Sequence, residues 1–204
     1  DLHLSIRRQR QMCIRDSFSH QHVSDDAMLQ FAANLYDAHM RYYVQALARQ
    51  GSPYAYPTLG STIAVQANSY ARARGFPKRN AGEDFHFLNK LNKLAPVTWL
   101  HQPVIEVQAR RSTRVVFGTG PALEKIVTLL RDDPSGNSYL SYDHRCFELL
   151  GKALIYLQQC SQSAGFAAIA GPNDSDHARI VQILQHLGLP KVLNDKFDQQ
   201  PNLI

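Results

Sequence analysis

Two adjacent carboxylates, Glu83 and Asp84, open an amphipathic run directly behind the turn-forming stretch Arg74-Gly75-Phe76-Pro77 and a further glycine, Gly82. A carboxylate held in such a place can act as a general base, taking a proton from a hydroxyl as its oxygen attacks. Neighbouring acids in the first turn of a helix point in different directions, so one can face a cleft while the other stays in the scaffold. Acids there also follow from the helix dipole alone, which favours negative charge near an N-terminus. Spacing by itself favours that second, purely stabilising reading.

The elements that must position these acids can be read from the periodicity. Between Asp25 and Arg49, Met28, Phe31, Leu35, His39 or Tyr42, Tyr43 and Leu47 recur at three and four, and Ser24 followed by two aspartates suits a helix start. Gly51-Ser52-Pro53 stops this helix, and Tyr54 to Leu59 forms a proline-broken loop or edge strand. Ser61 to Val65 reads as a short buried strand, and Asn68 to Arg74 as a helical turn closed by Gly75. The helix from Glu83 to Leu94 presents Phe87, Leu88, Leu91 and Leu94 on one face, and Pro96 ends it. Val97 to Leu100 and Val104 to Ala109 are expected as two strands at the edge of a mixed sheet, the second with Ile105, Val107 and Ala109 on one side. Helices are expected over 122–131, 142–159 and 174–187.

Taken in order, Gly60-Ser61-Thr62, Tyr70, Gly75-Phe76, Gly82-Glu83-Asp84 and the run to Leu94 resemble the second half of the catalytic domain of family 2 glycosyltransferases, which have the GT-A fold. The resemblance implies an α/β chain: a truncated GT-A-like half domain with a small mixed sheet over 18–120 and a helical C-terminal extension over 121–204. It implies transfer of a sugar, with inversion, from a nucleotide-sugar donor to a saccharide or lipid-linked acceptor. Asp84 is then the base, and Glu83 binds or positions the acceptor. Gly60, Ser61 and Thr62 sit where the family's acceptor loop nears the donor. Arg111, Ser112 and Arg114, ahead of a flexible Gly118-Thr119-Gly120, occupy the place where related transferases contact donor phosphate, a task suited to the planar guanidinium fork. The family's divalent cation, Mg2+ or Mn2+, sits on an Asp-x-Asp motif in the donor half. No such run precedes Phe18, so this piece is expected to lack that site and to be inactive alone. No residue is assigned to a metal, and the single His101 beside Gln102-Pro103 fits a loop or edge strand.

Two other functions suit the same residues. One is a small helical interaction protein in which the acidic turn only caps a helix. The other is a basic module that binds phosphate through Arg110, Arg111 and Arg114.

Leu4 to Ser17 resembles translated sequencing-adapter read-through, which would place the natural start near Phe18 and leave 1–17 a disordered leader. Of the net charge of +5, that leader supplies two units, four arginines against Asp1 and Asp16, and the remainder is too small an excess to imply nucleic acid. Cys13, Cys146 and Cys160 are odd in number and lack zinc spacing, which suits a reducing compartment and makes the cytoplasm the expected location. No apolar run approaches the ~20 residues of a spanning helix, although contact at a membrane's edge stays open.

Overall fold

Phe18 lies in the extended segment at the centre of the sheet. The computed structural model describes residues 15–79, 81–112, 118–162 and 175–187. Strand β1 (Arg15–Val23) lies between β2 (Ile63–Val65), to which it is antiparallel, and β3 (Thr98–Gln108), to which it is parallel. The fold class is thus mixed α/β with a small three-stranded mixed sheet. Strand β1 starts at Arg15, Ser17 pairs with Ile63, and the fully buried Ser17 hydroxyl donates to the Pro57 carbonyl. Residues 1–14 lie outside the described residues.

The two strands expected at 97–100 and 104–109 are the arms of the single strand β3. Phe18 pairs with Leu100 and His20 with Ile105, so β3 loops out around its cis Gln102–Pro103 bond. Proline cannot donate to the ladder, which accounts for the break. Beyond it, Ile105 and Val107 turn inward and Ala109 is buried, as their alternation predicts.

Helix α1 (Ala27–Arg49) follows β1. Its cap is Asp26, whose Oδ1 accepts the Leu29 N–H at 2.8 Å, where the sequence had pointed to Ser24. Its inward face also differs from the expected stripe. Met28, Phe31 and Tyr43 are exposed, whereas Ala32, Ala33, Asp37, Val44 and Leu47 are buried. Small alanines allow close approach, and Ala32 and Ala33 pack with Leu123, Ile126, Val127 and Leu130 of helix α4 (Thr119–Asp132).

A second core gathers Tyr56, Ala73, Phe87, Leu88 and Leu91, the last three from α3 (Glu83–Leu94) as the sequence predicts. Burying each such side chain contributes roughly 1.5–3 kcal/mol. Tyr56 belongs to this packing, and burial pushes its hydroxyl up to about 12.

Helix α2 (Ala67–Arg72) ends in a double reversal: Gly75 N–H donates to the Tyr70 carbonyl at 3.0 Å and Arg74 N–H to Ala71 at 2.9 Å, a Schellman turn. Arg74 and Gly75 both have left-handed backbones, with φ of 59° and 64°. A Cβ on Gly75 would stand 2.9 Å from the Tyr70 hydroxyl, so only glycine fits there. At Arg74 the left-handed conformation costs a non-glycine residue about 1 kcal/mol. Arg74→Gly is therefore expected to stabilise the chain by up to about 1 kcal/mol, read as a higher urea midpoint with an unchanged slope. The turn delivers Phe76 onto Phe87, with rings stacked at 4.1 Å, and so docks α3 on the segment that precedes it.

Among the described residues, those of 15–48 and 53–141 form one compact unit, and those of 49–52 and 142–187 another. Helix α4 belongs to the first of these units. In the second unit α5 (His144–Gln162) and α6 (Ser175–His186) share a core of Tyr156, Ile180 and Leu184. Among the described residues no helix is long and apolar enough to cross a membrane.

Candidate functional site

Gly82, left-handed at φ 69°, turns the chain into α3, so Glu83 and Asp84 stand in its first turn as expected. Asp84 is half-buried. Its Oδ1 accepts the Phe85 N–H at 2.7 Å and its Oδ2 the Gly60 N–H at 3.1 Å. Burial raises its pKa above the ordinary carboxylate value, and the Glu83 charge adds to this, while the two N–H donors oppose the shift without cancelling it. Each oxygen keeps a further lone pair, so the carboxylate is aimed and still able to take a proton.

Gly60 thus meets the expected base directly, through its backbone. Ser61 is exposed beside it. Thr62 turns inward: it is buried and its hydroxyl donates to the Leu59 carbonyl at 3.0 Å, so it closes the single 3-10 turn of Gly60–Thr62 instead of presenting its oxygen. Glu83 is half-buried next to Asp84.

The phosphate-contact residues divide. Arg111 is exposed with its guanidinium 3.6 Å from the Glu124 carboxylate. Ser112 packs against Gly120, where a Cβ would stand 2.7 Å from that of Ser112, so this glycine lets two segments meet. Arg114 lies outside the described residues. Thr119 and Gly120, expected in a flexible loop, are instead the first residues of α4, entered through Gly118 at φ 114°.

A second constellation was not anticipated from the sequence. His20 and His22, two residues apart on β1, share one face of the strand. Asp37 of α1 reaches that face: its Oδ1 lies 2.6 Å from His22 Nδ1 and its Oδ2 accepts the His22 backbone N–H at 2.7 Å. His22 and Asp37 are 2% and 3% exposed. Gln30 locks the approach, accepting the Ser24 N–H and donating to the His22 carbonyl. Burial pushes Asp37 upward, but the bonds from the His22 ring and backbone outweigh it and hold the acid below the usual range. Burial lowers the pKa of His20, the Asp37 charge and the Phe18 backbone act in the opposite sense, and its Nδ1 is buried without a hydrogen-bond partner of ordinary geometry. The signals in the sequence were the His-x-His period of two and an acid on the small-residue face of α1.

Tyr36 connects the two places. Its ring meets that of His22 edge-on at 5.9 Å, its hydroxyl is hydrogen-bonded to Thr119, and burial together with the charges of Asp37 and Asp84 pushes it upward. His101 sits in the bulge of β3, exposed and 4.5 Å from the Trp99 ring. In the Asp-x-Asp run Asp174-Ser175-Asp176, Asp176 is ion-paired with Lys152, and Asp174 lies outside the described residues.

A scan against protein-family models finds no match, and neither a search of curated proteins nor one of solved structures returns a similar protein.

Proposed function

We propose that the chain carries the acceptor half of an inverting glycosyltransferase of family 2 type, acting in the cytoplasm, with Asp84 as its base. The acceptor hydroxyl gives its proton to Asp84, its oxygen attacks the anomeric carbon, and the bond from that carbon to the nucleotide diphosphate breaks with the diphosphate as leaving group. The observation that carries this reading is the state of Asp84: a half-buried carboxylate, fixed by the Gly60 N–H and made more basic by its surroundings. A stronger base takes a hydroxyl proton more readily, and burial supplies that strength without loss of aim. Glu83, Gly60 and Ser61 flank it on the acceptor side. Donor contacts and the Mg2+ or Mn2+ site are assigned to a preceding half of the protein, alongside Arg111, Ser112 and Arg114. The long, largely exposed β3 at the sheet's edge suits a sheet that continues into further strands.

The test is the reading frame at the genomic locus. It is expected to run upstream of Phe18 through alternating strands and helices to an Asp-x-Asp motif. An intact frame that opens at Phe18 removes the proposal.

A further inference from the structure

We propose that His20, His22 and Asp37 form a binding site for one divalent transition-metal ion, zinc by ligand type, separate from the acidic turn at Asp84. The geometry supplies the argument. One ligand atom from each of the three residues lies within 4.8 Å of the others, a spread that small side-chain rotations reduce to the separation of ligands around a single ion. Two imidazoles and one carboxylate match zinc and its neighbours, whereas Mg2+ prefers an all-oxygen shell with several waters.

Two further observations point to a ligand. The buried His20 Nδ1 has no hydrogen-bond partner of ordinary geometry, although the Phe18 backbone acts on the ring, and buried polar atoms are rarely left so. Asp37 Oδ1 and His22 Nδ1 already stand 2.6 Å apart, and an ion bound by both takes the place of the proton they share. Asp37 Oδ1 and Oδ2 each retain a lone pair beyond the bonds to His22. The positive charge of Arg41 is felt at His20 and opposes a cation, which limits the affinity. The site is anchored on a central strand and the following helix, joined by the Gln30 clamp. Rigid elements of this kind hold ligands in register.

The inference does not depend on sugar transfer, because metal binding is measured directly. The whole chain, stripped with EDTA, is titrated with ZnCl2 by calorimetry and with CoCl2 by visible absorption. Expected are saturable, equimolar binding and cobalt bands of a four- or five-coordinate site, with X-ray absorption showing two imidazoles. His20→Ala is expected to weaken binding by about 10-fold or more, whereas His101→Ala leaves it unchanged. Circular dichroism checks that each variant folds. His20 is the main variant because His22 also holds α1 to the sheet. If the folded wild-type chain takes up no equimolar zinc, if absorption shows no imidazole shell, or if His20→Ala binds like the wild type, the site does not exist.

Discussion

Replacing Asp37 by alanine is expected to lower the unfolding free energy of the first unit by about 3 kcal/mol, the cost of stripping the acceptor from two buried donors. Both partners are almost wholly enclosed, and the substitution strips the acceptor from the His22 backbone N–H and from its ring Nδ1 together. A buried donor left without a partner costs far more than the original bond contributed. The pH dependence follows from the direction of the Asp37 shift. Its folded pKa lies below the ordinary value of 3.8, so its stabilising contribution is fully present above that value and is lost as pH falls through the folded pKa. Urea unfolding followed by circular dichroism at pH 7 and pH 3 is the measurement. Asp37→Ala should show the large loss at neutral pH and a smaller one in acid, whereas an equal loss at both would remove the charge from the explanation.

The second large effect is kinetic. In the transferase we propose, Asp84→Asn is expected to reduce turnover by roughly 10²–10⁴, the range that proton transfer by a placed side chain supplies. Donor binding should be nearly unchanged, because the proposal sets Asp84 on the acceptor side. Stability should stay the same or rise slightly. An acid whose folded pKa is raised contributes most below its unfolded pKa, and that contribution is lost as pH rises through the folded value, so ionised Asp84 is a cost at neutral pH. The asparagine carbonyl can still accept the Gly60 N–H. Steady-state assays with a nucleotide-sugar, beside thermal unfolding of the same preparation, separate the two effects. Retained turnover would move the base elsewhere.

Helix α3 was legible because Phe87, Leu88 and Leu91 repeat at three and four and the helix packs on that face alone. The Gly75-Phe76 turn was legible because a left-handed position beside Tyr70 admits glycine and little else. Strand β1 was not. Ser17, Ser19, His20 and His22 are polar, and what makes them a buried strand is hydrogen bonding at a distance, to Pro57, Trp99 and Asp37, which no local pattern reveals. The inward face of α1 was misread for a related cause. Large residues suggested a stripe through Met28 and Phe31, but close packing on α4 selected Ala32 and Ala33 and carried Asp37 inward with them. The start of α4 at Thr119 was missed because the glycines around it suggested a loop, when Gly120 is needed for contact with Ser112.

The reading of Asp84 as a base, and not as a helix cap, can be tested by titrating its carboxyl carbon by 13C NMR, assigned through Asp84→Asn. A cap at a helix N-terminus is stabilised in its ionised form by the dipole and by N–H donors, which lowers its pKa. A base made stronger by burial is raised. The account predicts a midpoint above the ordinary 3.8, and a midpoint at or below that value would contradict it.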